Sequence, residues 1–276
     1  MPELPEVETV VRGLRSALEG RIVESVEVLD DRWCQPMTVA ALESAITGRR
    51  IKQLSRRGKY ILLETENQTV LVMHLRMTGT LLLNPVELEK HARVVIVLDD
   101  ESRLVFNDPR RFGTGLLMTS DDIDSYFEAR LGLEPIDPRF TSEHLFEVTR
   151  GRSAPLKSFL LDQRRMAGVG NIYADEALFR AGLHPLRKPR GLTRDQVALL
   201  RIGLIDALQA GIDAGGATID DFRNPDGAWG AYQSEFLVHR REGLPCPECG
   251  RPITRFVVGG RATYCCESCQ KRPAGV

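Results

Sequence analysis

The chain has 276 residues, of which 42% are hydrophobic and 27% are charged. These values predict a soluble globular protein that is long enough for two domains. No apolar run approaches the roughly 18 residues of a membrane span and the N-terminus lacks a signal-peptide pattern, so we expect a cytoplasmic protein. The net charge of −1 gives no overall sign of a polyanionic partner, although residues 49–59 carry six positive charges and no acid.

The first predicted element is a helix that begins within the opening residues, MPELPEVETV. Val7, Leu14 and the valines between them recur at helical spacing and indicate a core-facing stripe. Prolines and acids before such a stripe suit an ordinary helix N-terminus. Pro2 fits a second interpretation, because proline is small enough for Met1 to be removed. The new N-terminus would then be a secondary amine with the carboxylate of Glu3 beside it.

Strands are predicted next, from segments rich in branched apolar residues with turn signals between them. These segments are KYILLETE, TVLVMHLRMTGTLLL, ARVVIVLDD and RLVFND. Residues 20–120 are therefore expected to form an antiparallel sandwich or flattened barrel, with a short helix at TVAALESAITG. A polar stretch with prolines at residues 131–144 marks the expected domain boundary.

Beyond that boundary the apolar residues follow a helical period, as in LKSFLLDQRRM and NIYADEALFRAG, and predict a mainly helical domain. Residues 215–234 contain Gly-Gly, Asn-Pro and Asp-Gly pairs, which favour a long irregular loop of the kind that is often functional. The sequence thus predicts an α+β protein divided into residues 1–132, 133–236 and 237–276.

The last part contains two pairs of cysteines. Cys246 and Cys249 form one CxxC, Cys266 and Cys269 form another, and sixteen residues separate the pairs. This spacing is typical of a zinc ribbon with one structural Zn²⁺ in a closed four-thiolate site. Disulfides are the alternative, and they are disfavoured in a cytoplasmic chain. Cys265 could compete with Cys266 as a ligand, but it would break the CxxC spacing.

Seven motifs follow one another along the chain. From the N-terminus they are MPELPEVET, RRGKY, MHLRMTG, DPRRFG, PLKSFLLDQ, GVGNIYADE and the cysteine ribbon. Together they closely resemble the formamidopyrimidine-DNA glycosylase family of base-excision repair enzymes. The resemblance implies an N-terminal sandwich, a helix-two-turns-helix domain and a zinc ribbon. It also implies a monomer that acts on double-stranded DNA containing oxidised bases or abasic sites, removing oxidised purines and cleaving the strand by β,δ-elimination.

The resemblance assigns catalytic roles to four residues. Pro2, exposed by loss of Met1, is the implied nucleophile. An α-amino group suits this role because its reference pKa of about 8 leaves a neutral fraction at physiological pH. Glu3 is the implied acid/base carboxylate, Lys59 the proton donor of the first elimination, and Arg261, in the turn of the ribbon hairpin, the arginine of the second.

DNA contacts are also implied by the resemblance. Met77, Arg110 and Phe112 resemble the trio that fills the gap left by an extruded base. Lys157 and the loop from Thr218 to Gly227 resemble parts near the damaged base. Other residues fall on or near positions that hold phosphates around the flipped nucleotide, a group that comprises His74, His91, Arg110, Arg152, Asn171 and Arg261.

The chain departs from the family pattern where the ribbon begins. His239 and Arg240 stand in place of a tyrosine and a glycine, and Cys265 replaces an aromatic residue. These departures put the packing of the ribbon and some DNA contacts in doubt. Two other functions are weighed: an endonuclease VIII-type enzyme for oxidised pyrimidines, and an inactive zinc-ribbon DNA-binding protein. The ELPEVET run favours the formamidopyrimidine branch, and the intact catalytic set argues against an inactive protein.

Overall fold

The computed structural model of the protein describes residues 1–219 and 222–273. The chain forms two compact units, residues 1–129 with 214–233, and residues 130–213 with 234–276. The first unit contains two antiparallel sheets, and the second contains helices and a β-hairpin. The predicted α+β architecture is therefore confirmed. Residues 214–233 belong to the first unit, although the sequence division places all of them in the helical part. The finer division into three parts stays a prediction.

The first unit begins with helix α1 (Leu4–Leu18), strand β1 (Val23–Val28) and helix α2 (Val39–Ile46). The next strands are β2 (Ile51–Arg57), β3 (Tyr60–Thr65), β4 (Thr69–His74), β5 (Thr80–Leu83), β6 (Ala92–Leu98), β7 (Arg103–Asn107) and β8 (Thr114–Thr119). Helix α3 (Ser120–Glu128) follows them. In the described residues the strands form two four-stranded sheets, in the orders β1-β6-β7-β5 and β2-β3-β4-β8.

Both sheets and α1 share one hydrophobic core, as expected for the sandwich that the sequence predicts. The core includes Val10 and Leu14 from α1, Leu63 from one sheet and Phe106 from the other, all at most 2% exposed. Burying an aliphatic side chain of this size contributes about 1.5–3 kcal/mol. Because α1 is fixed along its length, the residues directly before it are held in place as well.

The second unit contains α4 (Ser142–Thr149), α5 (Leu156–Leu161), α6 (Asn171–Arg180), α7 (Arg194–Asp213), β9 (Thr254–Val258) and β10 (Arg261–Cys265). Helix α7 packs closely on α6, where a Cβ added to Gly203 would lie 2.7 Å from the carbonyl oxygen of Ala177. At Gly211 an added Cβ would lie 2.4 Å from the ring of Tyr173. Glycine at both positions thus permits the close approach that fixes α6. None of the helices in the described residues has the length and apolar character to span a membrane.

Candidate active site and metal centre

A buried polar group lies at the start of α1. Pro2 is buried, and Glu3 and Glu6 are 3% and 1% exposed. The N–H of Glu3 donates a hydrogen bond to Glu6 Oε2 at 2.8 Å, and the N–H of Ala217 donates to Glu6 Oε1 at 2.8 Å. Glu6 therefore binds the N-terminal segment to residues 214–233 of the same unit. The sequence indicated Glu6 only as an acid in the first turn of a helix.

The 214–233 segment folds back on itself beside Glu6. The hydroxyl of Thr218 donates to the carbonyl of Phe222 at 3.0 Å and accepts from the N–H of Gly230 at 2.9 Å. Position 216 favours glycine because its φ is +81°, and an added Cβ would also lie 3.0 Å from Glu6 Cγ. Asp220 and Asp221, part of the loop predicted to lie near the damaged base, fall outside the described residues.

Lys59 lies in a two-residue turn that joins β2 and β3. Gly58 has φ +59°, in the left-handed region that two-residue hairpins fill with glycine. Lys59 is only 6% exposed, although lysines at turns are normally solvated. Arg56 donates to the carbonyl of Gly58 at 3.0 Å and to Glu8 Oε2 at 2.9 Å. Because Glu8 is on α1, the turn that bears Lys59 is fixed to the helix that begins two residues after Pro2, the candidate nucleophile.

His74 ends β4 and is 7% exposed. Its Nδ1 accepts a hydrogen bond from the N–H of Arg76 at 2.9 Å, which assigns the ring proton to Nε2. Burial, together with the positive charges of Arg76 and Lys59, lowers the pKa of His74 to about 3. His74 is therefore neutral at physiological pH, and what it can offer a phosphate is an N–H donor rather than a charge.

The three residues of the predicted gap-filling trio lie on two loops of the first unit. Met77 lies between β4 and β5 and is 37% exposed, and Phe112 lies between β7 and β8 and is 50% exposed. The Arg110 guanidinium lies 4.8 Å from the centroid of the Phe112 ring. Exposed apolar side chains on loops suit contact with bases better than a role in the core, which was the other interpretation of Met77 and Phe112.

Two other predicted phosphate contacts also lie outside the regular elements. His91, in the loop before β6, is partly exposed, and its carbonyl accepts the N–H of Asp108 at 3.0 Å. Arg152, in the loop between α4 and α5, is exposed, and its carbonyl accepts the N–H of Arg190 at 3.2 Å. In each case the backbone is anchored by a hydrogen bond.

Arg261 begins β10 directly after a Gly259–Gly260 turn, whose φ values are +54° and +75°. A two-residue turn with both φ values positive requires glycine-like residues and places Arg261 at the exposed end of the hairpin. The carbonyl of Ala262 accepts hydrogen bonds from Lys157 Nζ at 2.8 Å and from Asn171 Nδ2 at 3.0 Å. Two donors from α5 and α6 thus hold the hairpin next to Arg261.

Lys157, which the resemblance places near the damaged base, has a fully buried side chain. Its side chain is 0% exposed, and Nζ lies 2.7 Å from Asp175 Oδ1 and 3.0 Å from the hydroxyl of Thr263. Its ammonium group is thus enclosed by protein partners, and its predicted place near the damaged base stays a prediction. His239 Nδ1 lies 2.9 Å from Asp175 Oδ2, which shows how the ribbon accommodates histidine in place of the usual tyrosine.

We expect Asp175→Asn to destabilise the protein by about 3–5 kcal/mol, because it leaves the ammonium of Lys157 buried without a counter-charge. Lys52→Met is the matched control, since it removes a 2.6 Å pair with Glu64 whose lysine side chain is 56% exposed. That change should cost at most about 1 kcal/mol. Urea unfolding of both variants measures the difference. Equal costs would show that Lys157 is not held as a buried charge.

Four cysteines form a cluster in the second unit. The Sγ atoms of Cys246, Cys249, Cys266 and Cys269 lie within 4.8 Å of one another, with separations of 3.9 Å for Cys246–Cys269 and 3.5 Å for Cys249–Cys266. Cys265 lies outside the cluster, and its Sγ is 3.6 Å from the hydroxyl of Thr254. Cys265 is the last residue of β10, and Cys266 is the first residue after the strand.

Comparison with known proteins identifies the family. The model of the formamidopyrimidine-DNA glycosylase N-terminal domain matches residues 1–115, and that of its H2TH domain matches residues 131–223. The formamidopyrimidine-DNA glycosylase of Stenotrophomonas maltophilia (strain K279a) is 45% identical over 275 residues, covering 98% of this chain and 100% of the relative. The chain belongs to the formamidopyrimidine-DNA glycosylase family.

Solved structures of other formamidopyrimidine-DNA glycosylases have the same fold. The MutM (Fpg) protein of Thermus thermophilus is 42% identical, with a TM-score of 0.88 over 99% of this chain and 100% of that one. Lactococcus lactis Fpg, solved in complexes with N7-benzyl-Fapy-dG DNA and with abasic-site DNA, is 34% identical. Its TM-score is 0.91 over 98% of this chain and 100% of the L. lactis chain. The family resemblance predicted from the motifs is thus confirmed.

A zinc-finger model, described as found in FPG and IleRS, matches residues 243–272 and includes the four clustered cysteines. The cluster fits the metal, because a tetrahedral ion with Zn–S bonds of about 2.3 Å places its sulfurs about 3.8 Å apart. The Cys249–Cys266 and Cys246–Cys269 separations of 3.5 and 3.9 Å lie on either side of that value, and all four sulfurs lie within 4.8 Å of one another. The predicted structural Zn²⁺ is therefore supported by the family and by the geometry.

Proposed function

We propose that this chain is a bifunctional DNA glycosylase and lyase that removes 8-oxoguanine and formamidopyrimidines from double-stranded DNA. The observation that carries the proposal is the buried N-terminal segment, in which Glu6 fixes the residue next to Pro2 through a 2.8 Å hydrogen bond. A nucleophile held in one position reacts faster than a mobile chain end, because the entropy cost of orienting it is already met in the folded protein. The protein acts as a monomer in the bacterial cytosol, where the nucleoid supplies its substrate.

Base removal begins at Pro2. Its amine attacks the anomeric carbon of the damaged nucleotide, the glycosidic bond breaks, and the base leaves. Glu3 protonates the sugar ring oxygen and the ring opens, while the proton lost from the nitrogen goes to the departing base, so the nitrogen becomes an iminium. Because the proline nitrogen is secondary, this iminium has no N–H and stays cationic at every pH. It is the electron sink for the eliminations that follow.

Strand cleavage uses Lys59 and Arg261. Lys59 supplies a proton in the first elimination, which expels the 3′ phosphate, and Arg261 serves the second, which expels the 5′ phosphate. The turn bearing Lys59 is fixed by Arg56, and the hairpin bearing Arg261 is fixed by Lys157 and Asn171. We assign Lys157 a positioning role for this reason. The zinc ion, when bound, supplies no chemistry of its own and closes the ribbon that carries the hairpin.

The remaining residues hold DNA. Met77, Arg110 and Phe112 fill the gap left by the extruded nucleotide, which an apolar wedge, a guanidinium donor and an aromatic ring suit. The phosphates around the extruded nucleotide bind to N–H donors of six residues. These are His74, His91, Arg110, Arg152, Asn171 and Arg261. Binding through so many phosphates should weaken steeply as salt concentration rises.

A nicking assay tests the proposal, with one duplex containing 8-oxoguanine and a second containing thymine glycol. Oxidised pyrimidines are the second candidate substrate, because Lactococcus lactis Fpg has also been solved with oxidised-pyrimidine DNA. We expect faster cleavage of the 8-oxoguanine duplex. Faster cleavage of the thymine-glycol duplex would instead favour an endonuclease VIII-type enzyme. Binding without cleavage of either duplex would indicate an inactive DNA-binding protein.

Glu3→Gln should lower base removal from 8-oxoguanine DNA by about 10²–10⁴-fold, the usual contribution of a general acid/base group. Cleavage of a preformed abasic site should fall far less, because no glycosidic bond has to break there. Single-turnover rates on the two substrates measure both effects. Equal losses on both would give Glu3 a wider role than proton transfer during base removal.

A further inference from the structure

Asp108 lies at the start of the loop that carries Arg110 and Phe112, and it is completely buried. Its Oδ2 accepts the N–H of Phe112 at 2.8 Å and the N–H of Gly113 at 2.7 Å. Its Oδ1 accepts the N–H of Arg110 at 3.2 Å. One carboxylate therefore binds the backbone of both trio residues that this loop carries, Arg110 and Phe112, which is the way a short loop is held in a single conformation.

The same carboxylate also reaches the neighbouring loop. The hydroxyl of Thr78 donates to Asp108 Oδ1 at 2.5 Å, and Thr78 is the residue after Met77. This bond joins the loop between β4 and β5 to the loop between β7 and β8. The strands on either side of these loops pair in different sheets, since β4 pairs with β8 in one and β5 with β7 in the other. The Thr78–Asp108 bond therefore connects the loops at the point where the chain passes between the sheets.

Backbone conformation indicates that both loops are held under constraint. Arg76, directly before Met77, has φ +55°, and Arg111, between Arg110 and Phe112, has φ +60°. Non-glycine residues adopt this region only where their surroundings stabilise it. Arg111 is stabilised by two hydrogen bonds to Asp30, at 2.5 and 2.8 Å. The loops are thus set in position by protein contacts before any DNA is present.

We propose that Asp108, through Thr78, is a positioning residue that joins the two loops so that Met77, Arg110 and Phe112 enter the DNA as one unit. The inference rests on the proposed function, because it gives the gap-filling trio a common support. The trio must enter the stack while a paired base leaves it, and a preformed arrangement avoids ordering three side chains at that moment. Asp108 itself touches no nucleotide in this scheme.

The test changes the hydroxyl of Thr78 and leaves Asp108 in place, so that the Arg110–Phe112 loop keeps its own hydrogen bonds. Thr78→Val removes the donor with little change of shape, and Thr78→Ser retains it. Thr80→Val is the matched control, because the hydroxyl of Thr80 makes only a 3.4 Å contact with the carbonyl of Asn107. Each variant is assayed for base removal from 8-oxoguanine DNA and for cleavage of a preformed abasic site. A third measurement is the fluorescence of 2-aminopurine placed opposite an abasic-site analogue.

We expect Thr78→Val to lower base removal about tenfold, as for loss of one hydrogen bond to a charged acceptor, with abasic-site cleavage changed by less than about twofold. Its 2-aminopurine signal should change less on binding than that of the unmodified protein. Thr78→Ser and Thr80→Val should match the unmodified protein in all three measurements. Normal base removal and fluorescence in Thr78→Val, or a defect as large in Thr78→Ser, would overturn the inference. If the unmodified protein cleaved neither substrate, the proposed function would fail, and the fluorescence comparison would still test the loop connection.

Discussion

A protein that retains one extra residue before Pro2 should neither nick 8-oxoguanine DNA nor form an adduct that borohydride can trap. The extra peptide bond turns the amine into an amide, whose nitrogen lone pair is delocalised and does not attack carbon. DNA binding should stay close to normal, because the predicted phosphate contacts lie on other segments. Gel analysis of nicking and of covalent adducts, run beside a binding titration, measures all three properties.

The matched control is the same extended protein with a protease site placed so that cleavage exposes Pro2. Cleavage should restore trapping and nicking together, which separates the need for a free amine from any damage caused by the extension. Undiminished trapping in the uncleaved protein would contradict the assignment of Pro2. Some other amine, such as that of Lys59, would then have to be the nucleophile.

Cys266→Ser should lose the metal, whereas Cys265→Ser should keep it. Only Cys266 belongs to the four-sulfur cluster, while Cys265 is buried beside Thr254. Structural zinc sites contribute about 10–16 kcal/mol of binding free energy in small zinc-finger peptides, so loss of one ligand should disorder the ribbon. The hairpin bearing Arg261 would then lose its support, and both DNA binding and strand cleavage should collapse. Metal analysis and a DNA titration of the two variants test this.

The first unit has its own core, so the Cys266→Ser protein should keep the circular dichroism of its sheets even without zinc. This control separates a local defect in the ribbon from general unfolding. Retained zinc and normal DNA binding in Cys266→Ser would refute the proposed ligand set. Loss of zinc in Cys265→Ser would do the same, since that thiol would then have to be the fourth ligand.

The sequence was most informative where chemistry depends on spacing along the chain. Apolar period located α1 and most of the strands, and CxxC spacing distinguished Cys266 from Cys265. The motif MPELPEVET drew attention to Pro2 and Glu3 because residue type and position already suggest a nucleophile and its acid. Their catalytic roles stay predictions, as do the assigned DNA contacts.

Features that depend on distant contacts were not predictable. Glu6 accepts a hydrogen bond from Ala217, 211 residues away, and no periodic pattern connects two such positions. No local pattern around Lys157 predicts that Asp175 and Ala262 enclose its ammonium group. The role proposed for Asp108 was not predictable for another reason. Three of its partners lie within five residues and the fourth, Thr78, is 30 residues away, and only side-chain geometry shows that its carboxylate accepts four hydrogen bonds.

The bond between Glu6 and Ala217 has a consequence for how the enzyme is made. A ribosome that adds about 5–20 residues per second needs about 10–40 s to synthesise the chain between these two positions. During that interval the nascent N-terminus lacks the partner that later closes over it, and Leu83 still awaits its hydrogen bond with Pro225. Removal of Met1, which the proposed role of Pro2 requires, would therefore take place while the segment is still open. Exposure of the proposed nucleophile would thus precede formation of the Glu6–Ala217 hydrogen bond.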